Sequence, residues 1–405
     1  MKLILENWRR FVSLHEGISP ETIEKIESAI ARSGGESYIV GGAVRDELVP
    51  GAPASKDIDF LIRNLALDRI KKAIQHLGKV KEVGQAFGIV TATIDGEEFD
   101  FAIPRTSETK TGEKHTDFEV TTDPKAPIEA DLGRRDFTIN ALAKDSNGKI
   151  IDMFGGQKDI EQKIIRAVGN ADERFSEDPL RMLRAIQFAT RFDFTIEAKT
   201  AKAIKNNLDK LDSLAGERIL MEFNKAWTKG SANSARLIKL LESTGVGKHI
   251  FGEDFDPKPV TISGDRDMAI MGNAMAFFMN GGNYEIMKPP ALMARHIELA
   301  KASISGQEIY VYASKDRDKL PLLAEVLRQA GYRDESSKIQ NILDNNLPVS
   351  PKELAVGGRE MVSLGLKGPA IGQMQNELIQ AVHAGKVENE SSDLMNYINM
   401  MLGVQ

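Results

Sequence analysis

Apolar residues along positions 1–32 recur with a helical period, and the pattern ends at "SGGE", whose glycines read as a C-cap and turn. The opening "MKLILENWRRFVSLHE" carries charges throughout and an apolar run too short for a signal peptide, so it reads as an amphipathic helix. Beyond it the period changes. "SYIVGGAVRDEL" reads as a strand, a glycine turn and a helix start, "KDIDFLIR" as a strand, and "LALDRIKKAIQHLG" as a helix. "FGIVTATID" and "EEFDFAIP" read as a hairpin folded across "DG". Residues 106–127 are polar, contain Gly and Pro and show no period; they are expected to form a long mobile loop. From about residue 158 the pattern is mostly helical, except over 255–320, where no period can be assigned. The expected architecture is an α+β head, a mixed sheet with helices, followed by an all-α remainder.

Composition narrows the classes. With 405 residues, 41% hydrophobic and 28% charged, the chain has ample material for packed cores. No run approaches the ~18–20 apolar residues of a membrane helix. There is no cysteine, which excludes disulfides and thiolate metal sites and fits a cytoplasmic protein. The net charge is −6, so any contact with nucleic acid must come from a local basic stripe. Lys199, Lys202, Lys205 and Lys210 are a candidate for such a stripe; the alternative is a solvated helix face.

Two aspartates stand out. On a strand, Asp57 and Asp59 point to one face and Ile58 to the other. Two ionised carboxylates so close repel unless a cation sits between them, and Mg²⁺ prefers such oxygen ligands. A lone D-x-D also has an ordinary reading as a solvent-facing edge strand. "GDRDM" (Asp265, Asp267) and "KDRDK" (Asp316, Asp318) repeat the spacing in turn-like surroundings and read as surface features. The first pair differs in context. The turn "VGGAVRD" precedes it, where Gly41 and Gly42 let the backbone approach an anion and Arg45 can bond a phosphate. Asp100, in "EEFDFAIPR", joins the pair if its strand is a neighbour. Three carboxylates beside a phosphate-binding turn fit two-metal nucleotidyl transfer.

The run "GGAVRD…DIDF" resembles the first motif of the class II tRNA nucleotidyltransferase and bacterial poly(A) polymerase superfamily, a branch of the polymerase β-like nucleotidyltransferases. "DLGRRDFTINALA", "DMFGGQKDIEQKIIRAVG", "EDPLRMLRAIQFATRF" and "ERILMEF" continue the resemblance in order, over roughly half of the chain. The tail, from "LPVSPKELAVGGRE", is similar to that of CCA-adding members. The resemblance implies a helical extension over 1–33, a nucleotidyltransferase head over 34–165, a helical neck over 166–230, a body over 231–330 and a tRNA-binding tail over 331–405. No "HD" pair occurs, so the phosphohydrolase domain of some relatives is not expected.

The implied activity is template-independent addition of CCA to the tRNA 3′ end from CTP and ATP, with Asp57 and Asp59 holding two Mg²⁺ and Asp100 completing the set. Arg135 is the implied nucleotide-binding arginine, Asp136 faces the ribose 2′-OH, and Arg184 reaches the nucleotide or its phosphates. Asp178 and Arg181, at i and i+3, would read the base: the carboxylate accepts from an exocyclic amine, the guanidinium donates to a ring nitrogen. Cytosine and adenine share that pair of groups, whereas uracil and guanine reverse both polarities. A second account of the same residues is local: Ser176 as N-cap, Glu177 and Asp178 in the first helical turn, and Arg181 paired with Glu177 at i+4. The rival activities are a poly(A) polymerase, a partial CC- or A-adding enzyme, and a non-catalytic RNA-binding protein. Residues 331–405 hold six Lys and Arg against nine Asp and Glu, unlike the basic extension of poly(A) polymerases.

Overall fold

The computed structural model describes residues 19–52, 58–81, 88–110, 118–229, 234–305 and 317–403. The chain divides into two compact units between Leu214 and Ala215. Among the described residues no helix is long and apolar enough to cross a membrane.

The first unit is built on strands β1 (Glu36–Val40), β2 (Ile58–Arg63), β3 (Gly78–Lys81), β4 (Ile89–Ile94), β5 (Glu97–Ala102), β6 (Arg105–Lys110), β7 (Phe118–Thr122), β8 (Leu142–Asp145) and β9 (Ile150–Asp152). Seven of them form one sheet in the order β3-β4-β5-β2-β1-β8-β9, in which β2 and β5 are parallel and the other pairs antiparallel. This is the mixed sheet expected of the head. The β4–β5 hairpin turns at Asp95 and Gly96, with φ of 52° and 90°, as a two-residue loop of the kind that matches the strand twist. Strand alternation sorts the faces. Phe60, Phe99 and Phe101 form one side, Phe60 and Phe101 stacked at 5.4 Å, while Val40, Leu61, Ile128, Leu132 and Ala141 pack the other.

A helix over Pro20–Arg32 is capped by Ser19, whose Oγ accepts from Glu21 N at 3.2 Å, and it buries Ile23, Ile26 and Ile30. Midway along it Glu27 is half-buried, and desolvation pushes its pKa up to about 7 against the pull of Lys144, helped by Asp145 and Glu24. Lys144 is itself paired with Glu47 at 2.6 Å. The folded state thus holds the Glu27 proton more tightly than the unfolded chain, so stability falls as pH rises from about 4.5 to about 7. Glu27→Gln is therefore expected to melt about 2–4 °C higher than the parent at pH 8, the gap closing near pH 4.5. Equal melting midpoints at pH 8 would refute this.

Two expectations are corrected. Residues 106–127 are not a structureless loop: β6 and β7 pair antiparallel with Ser107 opposite Thr121 and Lys110 opposite Phe118, and the tip, 111–117, lies outside the described residues. Strand β6, "RTSETK", has no apolar residue to set a period, and β7, "FEVTT", has only Phe118 and Val120. In the second unit the described regular elements are helices, and those over Arg266–Phe278 and Ala291–Ile304 lie inside the stretch where no period could be assigned, whereas its start, 255–265, is irregular as expected. Arg266–Phe278 ("RDMAIMGNAMAFF") buries apolar residues on every side, so it lacks a polar stripe. It runs through an aromatic knot of Phe223, Trp227, Phe251, Phe255, Phe277 and Phe278, whose rings approach to 4.8 Å. As expected, Asp265 and Asp267 are exposed, Asp265 capping this helix by accepting from Met268 N at 2.9 Å.

Candidate active site

The register of β2 and β5 sets Asp59 directly beside Asp100, on the face opposite the phenylalanines. This confirms that the two strands are neighbours. Asp100 is half-buried and its Oδ1 accepts from Thr91 Oγ1 at 2.5 Å, which fixes the carboxylate, while Asp59 is exposed. Asp57 lies outside the described residues, and among those described no third His, Cys, Asp or Glu completes a metal-holding group. Two adjacent all-oxygen ligands still fit a hard divalent cation, which would relieve their mutual repulsion.

The two aspartates open into a cavity of about 520 Å³ that Gly41, Gly42, Arg135, Asp178, Arg181 and Arg184 also line. All the sequence-derived candidates within the described residues thus converge on one cavity, though Arg45 and Asp136 are engaged by other side chains. Arg45 turns inward: it is 5% exposed, its Nε bonds Asp46 at 2.7 Å and its Nη1 bonds Asn140 Oδ1 at 2.5 Å. The guanidinium lies against Phe188 and Phe192, 5.0 and 4.9 Å from the centres of two rings that stack on each other, and Asp46 also meets Arg191 at 3.2 Å. Burial lowers its pKa, with Asp46 opposing. Arg45 therefore braces the wall instead of presenting a free fork to a phosphate.

Asp136 is also committed. Its Oδ1 accepts from Phe137 N at 2.8 Å and Asn140 Nδ2 at 2.9 Å, its Oδ2 from Arg184 Nε and Nη2 at 2.8 and 2.7 Å. These four bonds fill the carboxylate's acceptor sites, so in this state it holds Arg184 and does not await a ribose hydroxyl. Burial works to raise its pKa, but Arg184, Asn140 and the Phe137 N–H hold it below the ordinary value.

Asp178 lies at a junction of two helices, Ala171–Glu177 and Leu180–Phe192, where one helix start was expected. Ser176 is no N-cap. It sits in the last turn of the first helix and donates to Asp172 O at 2.7 Å. The cap of the second helix comes from Asp178 Oδ1, which accepts from Leu180 N at 3.1 Å. Arg181 does pair with Glu177, at 2.8 Å, and also donates to the carbonyls of Arg134 and Arg174 at 3.0 and 3.3 Å.

The turn after β1 needs glycine. Gly41 has φ 72° and ψ −122°, and a Cβ there would stand 2.6 Å from Arg135 Nη1. Its N–H is spent on Leu142 O at 3.1 Å, so it is not offered to an anion. Gly41→Ala is expected to cost about 1–3 kcal/mol of stability and to raise the nucleotide KM about tenfold by displacing Arg135. A lower Tm with an unchanged KM would confine this glycine to the fold.

Sequence reasoning missed Asp131 and Arg134. Asp131 is 1% exposed and bonds both Arg134 and Arg135, at 2.8 and 3.0 Å. Burial favours its neutral form, but the two arginines outweigh it and lower the pKa. The signal was present in "DLGRR", an acid with arginines at i+3 and i+4. Of the lysine stripe, Lys199, Lys202 and Lys205 are exposed on the Ala198–Asn206 helix, whereas Lys210 is tied to Asn207 and Ser176.

Residues 37–166 match the family described as "Poly A polymerase head domain", and 193–257 that described as "Probable RNA and SrmB- binding site of polymerase A". The CCA-adding enzyme of Streptococcus mutans is 31% identical over 404 residues, covering 93% of this chain and 95% of its own. Among solved structures, the Bacillus stearothermophilus CCA-adding enzyme in complex with CTP superposes with a TM-score of 0.67 at 25% identity, over 95% of this chain and 98% of that one. The Thermotoga maritima CCA-adding enzyme complexed with tRNA gives 0.65 at 21% identity, over 96% and 97%, a likeness of fold.

Proposed function

We propose that this chain, which belongs to the CCA-adding enzymes of the tRNA nucleotidyltransferase and poly(A) polymerase family, adds C, C and A to the tRNA 3′ end from CTP and ATP, releasing pyrophosphate. The observation that carries the reading is the in-register pair Asp59 and Asp100 facing the cavity that Arg135, Asp178, Arg181 and Arg184 line. In this reading 34–165 is the nucleotidyltransferase head, 166–230 the base-reading neck, 231–330 the body and 331–405 the tail that holds tRNA, in the cytoplasm.

The residues suggest a division of labour. Arg135 and Arg184 supply positive charge to the triphosphate. Asp178 accepts from the exocyclic amine of cytosine or adenine while Arg181 donates to the adjacent ring nitrogen. With uracil or guanine a carbonyl would face the carboxylate and a ring N–H would face the guanidinium, leaving buried groups unpaired. Asp59 and Asp100, with Asp57, would hold divalent metal, Mg²⁺ by the hardness of their oxygens. When bound, such ions neutralise the triphosphate and make the attacking 3′-OH more acidic. The 3′-OH attacks the α-phosphorus and pyrophosphate leaves, so the protein's part is positioning and charge, with no covalent intermediate.

The test is a gel assay with Mg²⁺ and a tRNA transcript lacking its CCA end. Two additions with CTP, and one more only when ATP is also present, are expected, with none from UTP or GTP. Long tails from ATP alone would make the chain a poly(A) polymerase. Addition that stops after two C residues with both nucleotides present, or that yields only A, would make it a partial enzyme.

A further inference from the structure

The buried carboxylate of Asp131 serves two neighbouring arginines at once. Oδ1 accepts from Arg134 Nε and Nη2 at 3.2 and 2.8 Å, Oδ2 from Arg135 Nε and Nη2 at 3.3 and 3.0 Å. Oδ1 also meets the Arg105 N–H at 3.4 Å, so the base of the β6–β7 hairpin is tied to the same point. Residues adjacent in a chain do not normally send their side chains to one acceptor. Here both are drawn back onto the Ile128–Gly133 helix, and the turn between them is fixed.

That turn carries a second set of bonds through its main chain. The Gly133 carbonyl accepts from Arg174 Nη1 at 3.2 Å and the Arg134 carbonyl from Arg181 Nη2 at 3.0 Å. Arg174 and Arg181 both hold Glu177, at 2.6 and 2.8 Å. The angle at which Arg181 enters the cavity is therefore set partly by a carbonyl whose place depends on Asp131.

We infer that Asp131 is a positioning residue for base choice, acting through the Gly133–Arg135 turn on Arg181. The inference rests on the function proposed above. An asparagine at this position has one acceptor oxygen, and its amide group opposes a guanidinium N–H, so one arginine is released and the turn loses its register. Base selection depends on the direction of one donor and one acceptor, and a small rotation of Arg181 weakens the rejection of uracil and guanine more than it weakens catalysis.

The experiment measures kcat/KM for CTP, ATP, UTP and GTP on tRNA lacking CCA, for the parent, Asp131→Asn and Arg134→Ala, with Tm and the KM for tRNA alongside. For Asp131→Asn the expected result is a roughly tenfold higher KM for CTP and ATP and a fall of about tenfold or more in the CTP/UTP and ATP/GTP ratios, the KM for tRNA unchanged. Arg134→Ala removes one of the two anchors but keeps its carbonyl, and is expected to fall between that variant and the parent. A proportional loss on all four nucleotides, ratios intact, overturns the inference and leaves Asp131 with the fold alone. Should Asp131→Asn not fold, unchanged ratios in Arg134→Ala overturn it equally. A parent protein that incorporates neither C nor A would instead sink the proposed function.

Discussion

Asp59→Asn is expected to abolish nucleotide addition, lowering kcat by about three orders of magnitude or more, while leaving the protein as stable as its parent or slightly more so. The two halves of this expectation have one cause. Asp59 and Asp100 face each other across parallel strands at the same register, a placement of like charges that weakens a sheet. Asp59 is exposed and the apolar contacts of β2 come from Ile58, Phe60, Leu61 and Ile62, so the substitution leaves the core of the sheet intact. The asparagine keeps the shape, removes the repulsion and removes a metal ligand. Single-turnover addition of C to tRNA lacking CCA, read beside a melting curve, checks both halves. Substantial activity in this variant would mean that the paired carboxylates do not carry the chemistry. A large fall in Tm would mean that the contacts of Asp59 hold the sheet more than its repulsion from Asp100 loosens it.

The second large effect concerns Asp178, for which a local and a functional account compete. The structure shows the local one to be real, because Asp178 Oδ1 accepts from Leu180 N and caps the helix that presents Arg181. Asp178→Ala is expected to lose about 1 kcal/mol of stability through the cap. It is also expected to lose about 10²-fold in kcat/KM for CTP and ATP and most of the discrimination against UTP. Asp178→Ser separates the two accounts. Its hydroxyl can accept from the Leu180 N–H and restore the melting temperature, yet it brings no carboxylate to a base amine. Under the proposed reading the serine variant regains stability and remains unselective. Recovery of both would show that Asp178 only caps.

What could be seen in the sequence follows the range of the interactions involved. The strand–turn–helix at "YIVGGAVRDEL" and the hairpin across Asp95 and Gly96 came from periods of a few residues and from turn chemistry, whereas the meeting of Asp59 with Asp100 depended on a strand pairing that the sequence left open. The all-apolar Arg266–Phe278 helix and the polar β6–β7 pair were hidden because each lacks the contrast that a period needs. Side-chain roles were the hardest to foresee. The sequence shows an arginine or an acid but not its partner, and partners decided the cases of Arg45, held by Asp46 and Asn140, and Asp136, held by Arg184 and Asn140. Two of those bonds, Arg45 to Asn140 and Arg184 to Asp136, join positions far apart along the chain, which no local pattern reports. The others are local, as are those of Asp131, whose two arginines lie within one helical turn in sequence and could have been paired from spacing alone.

The stacked ring pair against Arg45 has a consequence for anyone who would build hybrid enzymes from this chain. Arg45 belongs to the helix after β1, but the two rings it lies against, Phe188 and Phe192, belong to the helix that carries Arg181 and Arg184. A crossover placed in the tempting gap between them would trade one of these helices for a relative's and leave a buried cation facing unfamiliar rings. Donor segments should therefore travel together from Glu36 to Phe192, so that the catalytic sheet, β1 included, and the base-reading helix come from one parent as a single cassette.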